Sequence, residues 1–492
     1  MSNKKSAFGS FLSFFYGNFI VLLLGFVQTP IVTRLMSTDE YGRAGMFEAA
    51  VSCIYIFAIL GLDQSFIRYY YKKNIDRDHL MRSCLKTTLM IVAGLIVVYL
   101  FAADYVNYWL FKRNVSIDVT ILVIGYTVIS VFERFLFLDV RMQQNGKLYS
   151  NINITQKVLN ILLIFGTAWF LGNDFRVALY AMTISWGMTT LFLGIRYLLI
   201  RSGKIKSADN GAILTNGTEK VSIVELIKYG YPFIMVLLME WLLSSCDSIA
   251  LKTWADYNEL GIYRAAVKII VLLVTFKNTF LAYWSPVAME RYETGKEEET
   301  KAFFRQAFRI VRFFCVLAAI GLIMFRQVIV LLLGARYRGA DKIIPFLTLM
   351  PIFAMMFEIT VQGIKFQKKN MYLNAASAVT IVCNICGNAI LVPRLAGVGA
   401  AITTGLSYII YFAIGSFFSE RVYRVRYDFI RTAVDGILLV ILAFAASFID
   451  SIVITTAMAI GSILAVCVIE RDSLILSFNY GLSVLQKFIR RE

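Results

Sequence analysis

The stretch from Gly261 to Trp284 is apolar and long enough to cross a bilayer, yet it carries Arg264, Lys268 and Lys277. A basic side chain at the centre of a spanning helix costs about 2.5–3.5 kcal/mol on insertion scales, so two facing lipid would cost about 5–7 kcal/mol. Such residues must face a water-filled cavity, an acidic partner or an anionic cargo. Arg264 and Lys268 are four residues apart and share a helical face, whereas Lys277 follows Lys268 by nine residues, about half a turn away in angle. The chemistry open to them is anion binding. The rest of the chain is read as the housing of a cationic cavity to which this helix contributes.

Of the 492 residues, 59% are hydrophobic and 16% are charged, and the mean hydropathy is +0.69. That is too apolar for soluble domains, so the chain is an all-α polytopic membrane protein. The net charge of +17 would point to nucleic acid in a soluble protein, but in a membrane protein it marks the cytoplasmic side. No nucleic-acid partner is expected. The single histidine, His79, lies in a basic loop and excludes a His-based metal site. Cys383-x-x-Cys386 sits inside a span without other ligands, so small-residue packing is expected there and no metal. Met1-Ser-Asn-Lys4-Lys5 leads into a long apolar segment with no small-residue cleavage site, which reads as an uncleaved first span.

Apolar windows fall at roughly 10–36, 42–66, 81–103, 116–138, 149–171, 176–200, 226–251, 261–284, 308–333, 342–365, 373–393, 398–418, 433–449 and 452–470, which predicts fourteen spans. Alternate loops are basic, with Arg68/Lys72/Lys73/Arg77, Arg141/Lys147, Arg201/Lys204/Lys206, Arg291/Lys296/Lys301/Arg305/Arg309/Arg312, Lys365/Lys368/Lys369 and Arg421/Arg424/Arg426. This asymmetry places both termini in the cytoplasm. The exterior loops are short. Expected boundaries are an N-terminal lobe 1–200 (spans 1–6), a flexible cytoplasmic linker 201–222, a C-terminal lobe 223–418 (spans 7–12), two added spans within 419–470 and a cytoplasmic tail 471–492.

The two lobes resemble each other. Tyr41-Gly-Arg-Ala-Gly45-Met-Phe-Glu48-Ala49-Ala50-Val51 aligns at one offset with Tyr257-Asn-Glu-Leu-Gly261-Ile-Tyr-Arg264-Ala265-Ala266-Val267. Gln143 to Tyr149 likewise matches Phe366 to Tyr372, each just before a span with an interior asparagine, Asn160 or Asn384. The common order indicates a duplicated six-span unit; an even number keeps both copies in the same orientation, related by an axis along the membrane normal.

Several stretches carry a family resemblance. They are Gln28-Thr-Pro-Ile-Val-Thr-Arg-Leu-Met-Ser-Thr-Asp-Glu-Tyr-Gly42, Gly61-Leu-Asp-Gln-Ser-Phe-Ile-Arg-Tyr69, Leu331-Leu-Leu-Gly-Ala-Arg-Tyr337 and Asn388-Ala-Ile-Leu-Val-Pro-Arg-Leu-Ala-Gly-Val-Gly-Ala-Ala-Ile-Thr-Thr404. In this order, over essentially the whole chain, it resembles the polysaccharide transporter (oligosaccharide flippase) family of the multidrug/oligosaccharidyl-lipid/polysaccharide exporter superfamily. The resemblance implies two six-helix lobes around a cavity that opens alternately to each side, lined by spans 1, 2, 7 and 8. The implied cargo is an oligosaccharide on a polyprenyl diphosphate, such as undecaprenyl diphosphate, moved across the bacterial cytoplasmic membrane for capsule, O-antigen or exopolysaccharide assembly. Membrane lipids, a polysaccharide polymerase and glycosyltransferases are the other implied partners.

A cationic cavity suits such a cargo, because a diphosphate must leave headgroup water. Arg264, Lys268, Arg34 and Lys277 are the candidates for binding it; the family tends to carry a basic residue near Arg34, for which snorkelling to the headgroups is the alternative. Glu48, Asp63, Arg68, Glu240 and Asp247 are candidate cavity or gating charges. Glu240, Asp247 and Glu48 are also the candidate ion-pair partners of Arg264 and Lys268, and Glu48 occupies the position of Arg264 in the repeat. Glu133, Arg134, Lys157 and Glu358 lie in or near the membrane, either lining or pairing. Trp241 and Tyr263 could stack on sugars. No phosphate-binding Gly-rich loop followed by Lys and Ser/Thr is present, so no ATP hydrolysis is expected; the flippase reading implies no cofactor and no catalysed chemistry, with an ion gradient, the ion unspecified, or the membrane potential as the driver. The alternatives are a flippase of a peptidoglycan lipid precursor or sporulation glycan, an antiporter of drugs or organic cations, and a membrane glycosyltransferase or polymerase. A basic span 8 argues against the antiporter, and the short exterior loops argue against the enzyme.

Overall fold

The computed structural model describes residues 2–72, 74–143, 145–204 and 217–471, without the side chains of 2–15, 279, 282 and 283. The helices are α1 (Ser2–Leu35), α2 (Thr38–Ile59), α3 (Leu62–Tyr70), α4 (Arg77–Phe111), α5 (Ile117–Met142), α6 (Gly146–Leu171), α7 (Arg176–Arg201), α8 (Ile223–Gly230), α9 (Pro232–Trp254), α10 (Tyr257–Thr294), α11 (Glu297–Met324), α12 (Arg326–Val330), α13 (Ala340–Thr360), α14 (Gln362–Phe366), α15 (Met371–Val422), α16 (Phe429–Phe448) and α17 (Ile452–Ile469). Twelve helical segments among the described residues are long and apolar enough to cross a membrane. One of them, α15, is divided at Ala396, where the backbone turns to φ 45°, ψ −126°. Its two halves, together with α10, which lies outside that set, restore the fourteen expected crossings. Most of the expected linker, 205–216, and the tail 472–492 lie outside the described residues.

The starts of the helices follow from short polar side chains. Ser37, Asp76, Asn145, Asp256, Asp428 and Ser451 each accept a backbone N–H from the first turn of the helix that follows. Two expected spans are broken near one end. Span 2 divides at Leu60-Gly61, both with positive φ, and span 7 divides at Tyr231 before Pro232.

The chain forms two compact units, 1–249 and 250–492. The boundary falls inside α9, later than the lobe boundary at 223 read from the repeat, because α8 packs on α3. Ser65 donates to the Leu226 carbonyl at 2.6 Å. Gly61, at φ +68°, lies so close to Gly230 that a Cβ on it would sit 2.0 Å from the Gly230 carbonyl oxygen. Ile75 and Glu219 form a short parallel bridge, and Leu62, Phe66, Leu80, Phe135, Val221 and Leu226 close an apolar core at that end.

Within the first unit α1 and α6 run parallel: Gly17 meets Ser150, Gly25 meets Lys157, and Gln28 donates to Asn160 at 2.8 Å. This is what spans 1 and 5 must do if every span reverses direction. Loops expected outside meet one another, through Arg113 to Asp174 at 3.0 Å and Arg176 to Asp118 at 3.3 Å. Loops expected in the cytoplasm meet at the other end of the unit, through Lys72 to Glu219 at 2.9 Å and Tyr71 to the Met142 carbonyl.

In the second unit α13 is central, with all but a few of its 21 residues buried and with α10, α11, α15 and α16 against it. Gly405 allows the closest approach, since a Cβ there would be 2.5 Å from the Phe346 carbonyl oxygen. Lys342 and Asp450 pair at 2.8 Å on one end, where the ammonium holds the Asp450 carboxyl below its ordinary range. Arg305 reaches the Val425 carbonyl at 2.8 Å on the other. Arg312, grouped by sequence with the basic loop, is instead fully buried within α11.

Candidate functional site

The charged helix α10 begins after Asp256, whose carboxylate accepts the Glu259 N–H at 2.8 Å. Tyr257, Leu260, Tyr263, Ala266 and Ile270 are buried, and this face packs against α13 and α15. Arg264, Lys268, Val271 and Thr275 recur at helical spacing on another face, where Arg264 is half-buried and Lys268 and Val271 are exposed. The lobe therefore spends one face of α10 on packing and leaves its two neighbouring cations on the other.

Lys277 belongs elsewhere, as its angular offset requires. Its Nζ lies 3.7 Å from Glu358 Oε1 on α13, and Lys365 on α14 takes Glu358 Oε2 at 3.3 Å. One carboxylate thus links three helices through two ammonium groups, giving Lys277 and Glu358 a place in the lobe's own structure. Tyr263 is buried, and Trp241 donates its indole N–H to the Ala49 carbonyl at 3.0 Å. The Tyr263 ring is therefore covered by protein, whereas Trp241 is half-buried and anchored through its indole N–H.

The remaining candidates fall in the first unit. Arg34 is exposed at the end of α1, Arg68 is exposed at the end of α3, and Glu240 is exposed on α9. Glu48 is half-buried on α2 and Asp247 is buried on α9. Asp63, also buried, starts α3: its Oδ1 accepts the Gln64 N–H at 2.8 Å, and its Oδ2 meets Arg134 Nη2 at 2.5 Å. Arg134 of α5 thereby fixes the angle at which α3 leaves α2. Lys157 points toward α1, its Nζ 3.7 Å from where a Cβ on Gly25 would be.

Two pairs of polar contacts that the sequence reading missed repeat between the units. Glu40, in the first turn of α2, accepts the Phe175 N–H at the start of α7 at 2.8 Å. Glu259, in the first turn of α10, accepts the Gly397 N–H at the start of the second half of α15 at 3.1 Å. Each glutamate stands third after its cap in a capping-box signature, Ser37-x-x-Glu40 or Asp256-x-x-Glu259, and that signature was legible; the distant N–H that its carboxylate takes was not. Inside the lobes, Asn160 donates to Ser185 and Asn384 to Thr404, both at 3.3 Å. Each asparagine thus ties the fifth crossing of its copy to the sixth.

The profile of the family described as "Polysaccharide biosynthesis protein" matches residues 9–292. An uncharacterised membrane protein, MJ1068 of Methanocaldococcus jannaschii, is 26% identical over 425 residues, covering 79% of this chain and 80% of that protein. Among solved structures, the lipid II flippase MurJ in an inward closed conformation aligns with a TM-score of 0.65 at 16% identity, over 94% of this chain and 99% of MurJ. A multidrug resistance MATE family transporter in an inward-facing conformation aligns with a TM-score of 0.60 at 19% identity, over 82% of this chain and 95% of the transporter. With two copies of six crossings followed by two more, and the family profile spanning more than half of it, the chain belongs to the polysaccharide biosynthesis protein family and has the fold of the multidrug/oligosaccharidyl-lipid/polysaccharide exporter superfamily.

Proposed function

We propose that the protein is a flippase that carries a polyprenyl-diphosphate-linked oligosaccharide from the cytoplasmic to the outer leaflet of a bacterial cytoplasmic membrane, in the assembly of a surface polysaccharide. The observation that supports this most is the pair Arg264 and Lys268, half-buried and exposed, which share a face of α10 other than its fully buried one. A diphosphate leaving headgroup water loses hydration, and guanidinium and ammonium groups return charge-assisted hydrogen bonds. An organic cation would gain nothing from that face. Arg34, exposed at the opposite end of the first unit from Arg68, is the further candidate contact along the path. Lys277 acts with Glu358 as a helix tie, and Asp63 with Arg134 as a support of the α2–α3 break. Cargo binding shifts the balance between inward- and outward-open states, and no covalent step is needed. Glycosyltransferases supply the cargo and a polymerase consumes it.

The test is leaflet exchange in proteoliposomes of a fluorescent polyprenyl-diphosphate oligosaccharide, compared among the wild type, Arg264→Ala and Lys268→Ala at matched reconstitution. Both substitutions are expected to suppress exchange. A wild type that moves no lipid-linked glycan but exports organic cations would replace this reading with the antiporter.

A further inference from the structure

Far from α10 in sequence, three ionisable side chains meet in the interior of the second unit. Arg312 of α11, Asp435 of α16 and Glu470, which ends α17, are 0%, 2% and 0% exposed. Arg312 donates through Nη2 to Glu470 and through Nη1 to the Asp428 carbonyl at 2.9 Å and Thr432 Oγ1 at 3.2 Å. Its Nε lies 3.3 Å from Asp435 Oδ2, but not in hydrogen-bonding geometry. Neither carboxylate oxygen of Asp435 has a hydrogen-bond partner among the described residues. The guanidinium has spent its well-aligned donors elsewhere.

With both acids ionised, Asp435 would be a buried carboxylate that no donor among the described residues solvates. Burying such an anion is far more costly than burying its neutral acid. We propose that the cluster is a proton-binding site, with Asp435 the protonated member and Glu470 the ionised partner of Arg312. Among the described residues, α11, α13, α15 and α17 lie against α16, and α15 does so through the Phe412 ring on Phe429. Helix α11 contributes Arg312, α17 contributes Glu470, and α16 itself places Asp428 and Arg431 in electrostatic reach. Helix α13 meets α16 with Phe353 at Gly436, while its Lys342 pairs with Asp450 and its Glu358 with Lys277 and Lys365. A sodium ion would require a shell of oxygens where the guanidinium already stands. The bound proton joins the last two crossings to α11, and its loss places a net charge in that joint. The site is independent of the cargo reading above.

The experiment is infrared spectroscopy of the full-length protein in detergent, combined with its melting temperature as a function of pH. The wild type is expected to show a protonated-carboxyl C=O band at neutral pH that Asp435→Asn removes. Asn mimics the neutral acid, so that variant should melt no lower than wild type at neutral pH. Wild-type melting should fall as the pH rises from about 4 to the pH at which the band is lost, because over that range the folded state holds a proton that the unfolded state has released, and the variant should lack this slope. Glu470→Gln provides the second arm: Asp435 then becomes the partner of Arg312, and the band should disappear although Asp435 is intact. A wild type without an Asp435-dependent band, or an Asp435→Asn variant that melts well below it at neutral pH, overturns the proposal. Should Asp435→Asn fail to accumulate, a band that persists in Glu470→Gln overturns it.

Discussion

The second crossing of the first unit carries Glu48 where the eighth crossing, in the second unit, carries Arg264, although much of the surrounding frame is shared. In both units a first-turn glutamate holds the start of the sixth crossing of its copy, and an interior asparagine joins the fifth to the sixth. The shared contacts end on backbone N–H groups and hydroxyls within one lobe, so each supports the packing of its own copy. The divergent position is half-buried in both copies and lies outside these shared contacts. Duplication has therefore fixed the frame and left the charge outside those contacts to be set separately in each copy.

The sharpest way to break this comparison is to give the second copy the first copy's charge. Arg264→Glu is expected to lower flipping at least about 100-fold, because it removes a charge-assisted contact of about 1.5–3 kcal/mol and adds repulsion toward a diphosphate. Exchange is compared per amount of folded protein, so a change in stability does not enter it. Unchanged leaflet exchange in Arg264→Glu would show that the charge difference between the copies has no part in transport.

A large structural effect is expected where the first unit breaks span 2. Gly61→Ala would place a Cβ 2.0 Å from the Gly230 carbonyl oxygen at φ +68°. The left-handed backbone and the forced displacement together cost about 3 kcal/mol, enough to lower the melting temperature clearly in detergent. A variant that melts like wild type would show that α3 and α8 separate easily and that the close approach is not part of the frame.

The paired glutamates are predicted to differ in degree. Glu40 also takes Arg43 at 2.6 Å and Arg113 at 3.2 Å, so Glu40→Ala removes one backbone contact and two ion pairs, about 2 kcal/mol in all. Glu259→Ala removes the Gly397 contact, worth about 1 kcal/mol. Equal losses in melting temperature would mean that the partly exposed arginines add nothing.

Much of this frame was legible from residues alone. The fourteen crossings follow from apolar windows, because lipid demands unbroken hydrophobic length whatever the packing. The copies were visible in Tyr41–Val51 and Tyr257–Val267, and the basic face of α10 in Arg264 and Lys268. What was not legible depends on residues distant in the chain. The break at Gly61 is explained by Gly230, and the role of Lys277 by Glu358. Arg312 looked like one more loop arginine because its partners, Asp435 and Glu470, follow more than a hundred residues later.

The smallest expected effect concerns the turn between spans 11 and 12, and it has the opposite sign. Ala396 sits at φ 45°, ψ −126°, a conformation that a side chain resists and glycine accepts. It is held there because Gly397 must present its N–H to Glu259. In the first unit the corresponding reversal occurs at Gly172, at φ +64°, so that copy already has glycine at its turn. Ala396→Gly should therefore raise stability, by about 1 kcal/mol at most once glycine's greater freedom in the unfolded chain is deducted. The gain should vanish in a Glu259→Ala background, because without that contact the backbone is free to relax from the strained angle. A gain of equal size in both backgrounds would detach the strain from the glutamate, and the two turns would then resemble each other only in position.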